Sequence, residues 1–524
     1  MIAVVGTSGA AALPLVLAAL RRSLPAGLVE SLDPDALAEG PPVLVLVDPE
    51  AGWAPQLRHW LANGQRKVLL LGRLPDPICE LLQIDAVAAA PLDPAGALAA
   101  PAVPHAGSSS PLSIRYQEAA ATLGARQWQR AFRRYDFADE WNNLGFGAMG
   151  LAGDIWSIGA PLRLLKGELA AIVDAEGVRI ASYCGLFDTD AASSLWFNRP
   201  VGPIDSFEWR LVENFLSRHR PEATPLVPVL SEAPAGHDLV VTMRLDCDED
   251  IESARALHDA YRARGIPLSL AVKTGLITEG FSTALLDDVL ASGGSVLAHS
   301  VTHAPNWGGS YEAACREAGQ SALMLKMATG QYPRYAVSPF HQTPLYALAA
   351  LSHSGLVGCI GGNIASDPAF NLARGGVPSG SAAGFVGQSQ QCMLHGDCLL
   401  DGPQPMAIYV EAARLAHQSG SLFGYLDHPF SPRYQYGWAD EAERIAAHMT
   451  LIDAIAALAE APLHLSADAA LDFSALRSRV RVTREGDIYR VATPQLPASL
   501  PPPVLELGGQ RVALSPGGVT EVAA

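Results

Sequence analysis

Acidic residues crowd directly behind an apolar run in the segment "LVVTMRLDCDED", residues 239–250. The run is typical of a buried strand, and Asp246, Asp248, Glu249 and Asp250 stand at its end. Carboxylates in such a place repel one another and lose solvation. We therefore expect them either to point outward into water or to converge on something positive.

Titratable and polar side chains also follow three later apolar runs. His299 and His303 come after "SVLA", residues 339–341 come after "YAVS", and residues 427–429 come after "LFGYL". Two histidines four residues apart can face the same way on a helical turn, as they do in other metal sites. Two imidazoles and one carboxylate leave coordination positions open for catalysis, whereas a structural zinc site uses four protein ligands. The pattern predicts a catalytic divalent cation, zinc in the first place, with cobalt or nickel as alternatives.

A regular alternation of apolar runs with helix-like segments predicts how these residues are brought together. The alternation extends over residues 239–465 and predicts an α/β fold, a (β/α) barrel. The active groups of such a barrel sit at the C-terminal ends of its strands. The acids, the histidines and the Pro-Phe pair are therefore expected on one rim.

These motifs, in this order on a β/α chain, resemble those of the polysaccharide deacetylases of carbohydrate esterase family four, which share the nodulation-type deacetylase homology domain. The resemblance covers roughly residues 239–465, and "HSVTH" (299–303) is its most specific part. It implies a distorted (β/α) barrel. It also implies a metal-dependent hydrolase that removes acetyl groups from N-acetylated sugars or polysaccharide.

The resemblance also implies roles for five residues. Asp246 matches the general base and Asp248 a metal ligand, but Cys247 separates the two acids, which stand side by side in the family, and their roles can be exchanged. His299 and His303 match the two histidine ligands. The late Leu-x-His motif falls on residues 426–428 and implies His428 as the general acid.

The family's third motif, Arg-x-Pro-Tyr/Phe, is incomplete. Pro339 and Phe340 match it, but Val337 stands at the arginine position. Arg334 and Arg244 are near enough in sequence to orient the base instead. Six residues are expected at the substrate, the aromatic ones by stacking on sugar rings: Pro339, Phe340, Trp307, Arg244, Tyr434 and Trp438.

The rest of the chain divides by pattern into three further regions. Residues 1–105 alternate Val/Leu strands with helices and predict a Rossmann-like or flavodoxin-like α/β domain. Residues 114–235 predict a mixed α+β accessory region, and residues 466–524 a small β-rich module. This organisation is similar to that of multidomain bacterial deacetylases associated with exopolysaccharide, a similarity that implies polysaccharide-synthesis proteins as partners.

Composition excludes some classes of protein. A net charge of −17 argues against nucleic acid as a partner, since binding it requires clustered Lys and Arg. The first apolar stretch has its arginines after it, which predicts strand, turn and helix rather than a signal peptide. No run reaches the roughly 18 to 20 uninterrupted apolar residues of a transmembrane segment. Seven cysteines without a CxxC pair indicate reduced thiols, so we expect a cytoplasmic chain.

Three alternatives to the deacetylase remain at this stage. The first is a catalytically degenerate barrel that binds carbohydrate without turnover, which the incomplete third motif favours. The second is a related hydrolase that acts on a non-sugar amide. The third is a non-haem iron oxygenase, which also uses two histidines and a carboxylate but favours a β scaffold and HxD spacing.

Overall fold

The computed structural model describes residues 1–93, 99, 110–125, 128–132, 149, 154–362, 368–370, 372–389 and 392–523. The predicted domain boundary at residue 105 lies outside these residues. Among the residues described, no helix is both long enough and apolar enough to cross a membrane.

The first half of the chain contributes short strands and four helices to the described part of the structure. The strands are β1 (Ile2–Val5), β2 (Val29–Leu32), β3 (Val43–Val47), β4 (Arg66–Leu71), β5 (Ala86–Ala88), β6 (Ser113–Tyr116), β7 (Gln129–Ala131), β8 (Leu162–Leu164), β9 (Glu168–Val173), β10 (Arg179–Asp188) and β11 (Ala192–Phe197). The helices are α1 (Ala12–Ser23), α2 (Ala54–Leu61), α3 (Asp76–Leu82) and α4 (Trp209–Arg218).

Most of these strands form a single mixed sheet in the order β2-β1-β3-β4-β11-β10-β9-β6-β7. Its first five strands run parallel, and the others run antiparallel. The apolar strands β1 and β3 are buried along their whole length, as expected for a sheet covered on both faces. Because β4 pairs with β11, residues 1–105 and 114–235 share one sheet. The Rossmann-like assignment and the domain limits stay predictions.

The second half builds a curled parallel sheet. The strands of this sheet are β13 (Leu239–Cys247), β14 (Ser269–Val272), β15 (Ser295–Ala298), β16 (Tyr335–Val337), β17 (Gly358–Ile360), β18 (Val386–Gln388), β19 (Cys392–Met393), β20 (Phe423–Asp427) and β21 (Pro462–Leu465), and the short strand β12 (Val229–Leu230) precedes them in the chain. The connecting helices are α5 (Arg255–Ala263), α6 (Ala284–Ala291), α7 (Tyr311–Thr329), α8 (Leu345–His353), α9 (Ala407–Ser419) and α10 (Glu441–Leu458).

The parallel sheet runs in the order β18-β17-β16-β15-β14-β13-β20-β19, and β21 pairs with the first residues of β13. Its neighbouring strands are parallel throughout, so their carboxyl ends meet on one side. The mixed α/β class predicted from the sequence is confirmed. The side that carries the strand ends also carries the sequence motifs, as predicted.

The opposite side of the parallel sheet is covered by helix α11 (Ala467–Arg477). Its amino end meets the first residues of two strands, since the backbone N–H groups of Ala467 and Asp468 donate to Ser269 Oγ and Ser295 Oγ. The sequence analysis expected only strands after residue 465, so this helix is an addition. The tail then forms β22 (Arg481–Glu485), β23 (Ile488–Ala492), β24 (Val504–Leu507), β25 (Gln510–Ala513) and β26 (Val519–Ala523).

The strands of the tail divide between two small antiparallel sheets. One is β22-β23-β26, and the other is β12-β24-β25. Because β12 precedes the parallel sheet in the chain, the second of these sheets ties the tail back to the middle of the molecule. The tail as an independent β module stays a prediction.

Two helices behind the strand ends begin at well-defined caps. Helix α7 starts after Ser310, whose hydroxyl accepts from the backbone N–H of Ala313, and helix α10 starts after Asp440, whose carboxylate accepts from the N–H of Glu443. Glu443 in turn accepts from the N–H of Ala439, the residue before the cap, so its side chain holds the chain that enters the helix. Such caps contribute about 1 kcal/mol each and fix where the later residues of each helix point.

Candidate active site

Strand β13 and the residue that follows it present three charged side chains on one side. Arg244, Asp246 and Asp248 are spaced two residues apart, and successive side chains of a strand alternate between its faces. Cys247 therefore lies on the other face, where it belongs to the apolar core. This spacing explains why an extra residue stands between the two acids.

Asp246 is held by a buried ion pair. The Arg244 guanidinium donates from Nε to Asp246 Oδ1 at 2.6 Å and from Nη2 to Oδ2 at 3.1 Å. Burial acts to raise the pKa of Asp246, but the positive charge of Arg244, and then that of His299, outweighs it and lowers the pKa to about 2. Asp246 is therefore an ionised carboxylate with a fixed orientation. Arg334 pairs instead with Asp472, so of the two arginines considered it is Arg244 that supports the acid.

Asp248 contacts three imidazoles at once. Its Oδ1 lies 3.3 Å from His299 Nε2, and its Oδ2 lies 3.3 Å from His303 Nε2 and 3.4 Å from His428 Nε2. Burial acts to raise the pKa of Asp248, but His299 above all lowers it well below its usual value. One ligand atom each from Asp248, His299 and His303 lies within 4.8 Å of the other two, as a shared cation requires.

The donor set fits a divalent transition-metal ion. Asp248 Oδ1 and His299 Nε2 are both buried and have no hydrogen-bond partner within the described residues. His299 Nδ1 lies 2.9 Å from the carbonyl oxygen of Val337, which accepts its proton and leaves Nε2 as the ligand atom. Burial acts to lower the pKa of His299, but Asp248 and Asp246 outweigh it and raise it. The carboxylates thus favour a positive charge here, which a divalent cation supplies.

The second histidine reaches this position from a loop. The sequence analysis placed His299 and His303 on a helical turn, and this was wrong, because Ser300 and His303 adopt left-handed backbone conformations, each with φ of 59°. His303 N–H donates to Ser300 Oγ at 2.9 Å, which tightens the loop. The imidazole rings still come within 4.8 Å of each other, centroid to centroid. Burial, and then His299, lowers the pKa of His303 to about 4, so its imidazole is neutral.

Glu317 on helix α7 holds this loop from behind. Its Oε2 accepts from the backbone N–H groups of Val301 and Thr302, at 2.8 and 3.0 Å, and its Oε1 accepts from the Thr302 hydroxyl at 2.8 Å. The sequence analysis missed Glu317. No motif marks it, because its partners lie 15 and 16 residues away in the chain.

His428 stands on the other side of Asp248 and is oriented by two neighbours. Its Nδ1 lies 2.8 Å from His395 Nε2, and its ring stacks on Tyr436 at 4.4 Å and 16°. The sequence analysis treated His395 as background, because it follows a strand of only two residues that gives no periodic signal. Burial, and then His428, lowers the pKa of His395 to about 3, which makes it a neutral partner.

Asp427 anchors the end of strand β20 just before His428. It is fully buried and accepts from Arg444 Nε at 2.8 Å and lies 2.9 Å from His448 Nε2, both on helix α10. Burial acts to raise the pKa of Asp427, but Arg444 first, and then His448, lowers it. Asp427 Oδ2 thus contacts the helix, while Oδ1 accepts from the backbone N–H of His428 at 2.7 Å and lies 3.6 Å from His395 Nε2, and it is His428 that faces Asp248.

The six residues predicted at the substrate separate into exposed and buried ones. Phe340 is 39% exposed and lies against the ring of His303, with centroids 4.6 Å apart. Tyr434 is 51% exposed and meets Tyr436 edge to face at 4.3 Å. These two aromatic side chains therefore border the site on its His303 side and its His428 side. Pro339 is buried and begins the turn that presents Phe340.

The assignment of Trp307, Trp438 and Arg244 to the substrate is corrected by their burial. Trp307 is fully buried and donates from Nε1 to Ser338 Oγ, and Trp438 is buried beside the turn at Gly396. Neither indole offers a face to a sugar ring, because both pack inside the loops that carry the motifs. Arg244 is turned inward to Asp246 and does not reach the surface.

Comparisons with known proteins give matches of fold only. No family model matches the chain, and no curated protein matches it. A family 4 carbohydrate esterase from Streptomyces lividans, solved with acetate, is 16% identical, and the match covers 42% of this chain and 90% of that one with a TM-score of 0.28. The chitin deacetylase of the fungal pathogen Colletotrichum lindemuthianum is 13% identical over 46% of this chain and 92% of that one, with a TM-score of 0.31.

A third solved structure, Agd3, described as a novel carbohydrate deacetylase, is 12% identical and matches over 100% of this chain and 99% of that one, with a TM-score of 0.39. All three are carbohydrate deacetylases or esterases, the class that the sequence motifs resemble. Likenesses this distant leave the activity to be argued from the side chains of the site.

Proposed function

We propose that this protein is a metal-dependent hydrolase that removes acetyl groups from an N-acetylated sugar or polysaccharide. The observation that carries the proposal is the contact of one carboxylate, Asp248, with His299, His303 and His428 at 3.3 to 3.4 Å. Two of these imidazoles belong to the proposed ligand set, and the third is positioned to move a proton. Zinc fits the donor set, and cobalt and nickel are the alternatives.

The chemistry of the site divides among separate residues. When bound, a divalent ion acts as a Lewis acid on the acetyl carbonyl and lowers the pKa of water from 15.7 toward roughly 7. Asp246 takes a proton from the attacking water as general base. Asp246 is assigned this role, and Asp248 that of ligand, because Asp248 is the acid that contacts the imidazoles, while Asp246 is bound by Arg244.

His428 supplies the proton that the leaving amine needs. Its Nε2 faces Asp248, and its Nδ1 faces His395, so the ring presents one nitrogen to the reacting atoms and the other to the protein. A positioned general acid of this kind typically contributes 10²–10⁴-fold to the rate, about 3 to 5 kcal/mol. Phe340 and Tyr434 offer exposed aromatic faces for a sugar ring on either side of Asp248 and His428.

The incomplete third motif no longer favours a barrel that only binds carbohydrate. The arginine that Val337 replaces is expected to support the base, and Arg244 forms that support from the same strand as Asp246. The hydrolase of a non-sugar amide remains the second candidate. The exopolysaccharide association, partners in polysaccharide synthesis and a cytoplasmic location stay predictions.

Acetate release from a panel of acetylated mono- and oligosaccharides, measured with added Zn²⁺, Co²⁺ or Ni²⁺ and again after a chelator, tests the proposal. We expect release only with metal, and none from the matched variant Asp246→Asn, which keeps the metal ligands. Sugar binding that survives the chelator without any acetate release would instead establish a binding module. Turnover of simple acetylated amines but not of sugars would favour the second candidate.

A further inference from the structure

A second group of potential metal ligands lies beneath His428. Asp397 and Cys398 belong to a short turn that follows β19, at Gly396–Cys398, and His395 stands directly before it. His395 and Cys398 are buried, and the Asp397 carboxylate is partly open to solvent. The mechanism proposed above uses neither Asp397 nor Cys398.

The three ligand atoms are spaced as a small cation requires. Asp397 Oδ1 lies 4.0 Å from His395 Nδ1 and 3.8 Å from Cys398 Sγ, and one ligand atom from each residue lies within 4.8 Å of the other two. Metal–ligand distances of about 2.0 to 2.3 Å at a tetrahedral ion place its ligand atoms roughly 3.3 to 3.6 Å apart. The two distances from Asp397 exceed this by a few tenths of an ångström, and the separation of the His395 and Cys398 ligand atoms is at most 4.8 Å, so side-chain rotations must bring the three atoms closer together around an ion.

The backbone around the turn is fixed by close packing. A Cβ added at Gly437 would lie 2.1 Å from the Asp397 backbone nitrogen, so a second turn, at 436–438, lies directly against the first. The N–H of Gly396 donates to the Tyr436 carbonyl at 2.9 Å. The hydroxyl of Tyr409 donates to the carbonyl of Cys398 at 3.4 Å. The backbone that carries the three ligand residues is therefore held in place before any ion binds.

We propose that His395, Asp397 and Cys398 form a second metal site, for a divalent ion of the zinc type. A thiolate, an imidazole and a carboxylate together select a borderline-soft ion and disfavour Mg²⁺ and Ca²⁺, which prefer oxygen ligands alone. Three protein ligands leave a fourth position for water, which the solvent-accessible side of Asp397 admits. This site shares no ligand with Asp248, His299 and His303.

An ion at this site has a direct consequence for His428. An ion on His395 Nδ1 places the remaining proton on His395 Nε2, which lies 2.8 Å from His428 Nδ1. His395 then donates to His428 Nδ1, which leaves Nε2, the nitrogen that faces Asp248, as the one nitrogen of His428 that can carry a proton, so an ion here opposes the imidazolium form from which a general acid gives its proton. This consequence rests on the proposed role of His428 as general acid, whereas the metal site itself does not.

Cobalt titration of the full chain tests the site without any use of catalysis. The metal-free protein is titrated with Co²⁺, and bound ions are counted while the near-ultraviolet absorption of cobalt bound to thiolate is recorded. We expect two Co²⁺ per chain and a thiolate band. Cys398→Ser should lose the thiolate band and bind one Co²⁺ ion fewer. The double variant His299→Ala/His303→Ala should also bind one Co²⁺ ion fewer, but it should keep the band.

Two other cysteines serve as controls. Cys247 lies beside Asp248, and Cys359 is buried in strand β17, so Cys247→Ser and Cys359→Ser should both keep the band. A band lost with Cys247→Ser, or a wild-type protein that binds one Co²⁺ without thiolate absorption, would overturn the proposal. If circular dichroism shows Cys398→Ser to be unfolded, Asp397→Asn is used in its place. That variant must then lower the affinity for the Co²⁺ ion that gives the thiolate band at least tenfold. Loss of acetate release alone bears on the proposed function and not on this site.

Discussion

Arg244 and Asp246 form a two-point ion pair inside the protein, with both residues on the same face of strand β13. The two contacts measure 2.6 and 3.1 Å, and neither side chain reaches solvent appreciably. A fork of this kind fixes both oxygens of the carboxylate and keeps it ionised. The strand therefore delivers an acid whose charge and direction are set before any substrate arrives.

Replacing Arg244 tests how much this pair stabilises the fold. Arg244→Met leaves the Asp246 carboxylate buried without its partner, a change that typically costs about 3 to 5 kcal/mol. We expect urea denaturation to show a loss of this order in the free energy of unfolding. Arg334→Met is the control, since the Arg334 side chain is 54% exposed in its pair with Asp472, and we expect a loss below about 1 kcal/mol. Equal losses in both variants would contradict the role given to Arg244.

Glu317 is expected to act on the metal through the loop that carries His303. Glu317→Ala removes the acceptor of three hydrogen bonds from Val301 and Thr302, which releases the loop. Because such supporting contacts typically alter metal affinity 10- to 100-fold, we expect a loss of about that size. A competition titration with a zinc chelator measures it. Glu312→Ala, at an exposed position of the same helix, should bind zinc as the wild type does, and a loss there would mean that the effect is not specific to the loop.

His428 is expected to affect turnover without affecting the metal. Its Nε2 contacts Asp248, but the proposed ligand set of Asp248, His299 and His303 does not include it. His428→Gln should lower kcat by about 10²–10⁴-fold, because the leaving group loses its proton donor. Metal analysis of the same preparation should give the wild-type content. A variant that loses its metal would show instead that His428 is a ligand.

The sequence predicted the parts of the site that follow directly from strands. Asp246, Asp248, His299 and His428 each stand at or just after the end of an apolar run, and parallel strands bring such positions together. The choice of side chains at these ends is enough to predict a cation among them. It predicts neither the loop conformation at Ser300 and His303 nor the contact of His428 with His395, because these depend on backbone angles and on partners far along the chain.

The sequence also could not predict which aromatic side chains reach the surface of the site. Phe340 and Trp307 both follow strands near the motifs, and composition cannot separate a ring that faces solvent from one that fills a loop. The structure separates them, because the Trp307 indole finds a hydrogen-bond acceptor inside, at Ser338, whereas Phe340 has a left-handed backbone, with φ of 53°, that turns its ring outward over His303. The mixed sheet of the first half was missed for a similar reason, since β4 and β11 pair across more than 100 residues of chain.

Lys67, in strand β4, is expected to make stability depend on pH. Its ammonium is buried, donates to the carbonyl of His219 at 3.1 Å and lies 5.3 Å from the centre of the Phe215 ring. Burial lowers the pKa of Lys67 to about 7. Between about pH 7 and its ordinary pKa of about 10.4, the unfolded chain therefore binds a proton that the folded chain lacks. The contribution of Lys67 to the free energy of unfolding must then rise with pH across this window and stay constant below it.

Lys67→Met removes this dependence and gives the test. One pKa unit corresponds to about 1.4 kcal/mol. We therefore expect the free energy of unfolding of the variant at pH 7 to exceed that of the wild type by up to a few kcal/mol, reduced by the contribution of the hydrogen bond that is lost. This difference should shrink as the pH approaches 10. Urea denaturation at pH 7 and pH 9.5 measures both differences. Lys166→Met is the control, since the Lys166 side chain is 58% exposed, and its difference from the wild type should not change with pH. A Lys67→Met difference that is the same at both pH values would mean that Lys67 is charged in the folded protein throughout this range.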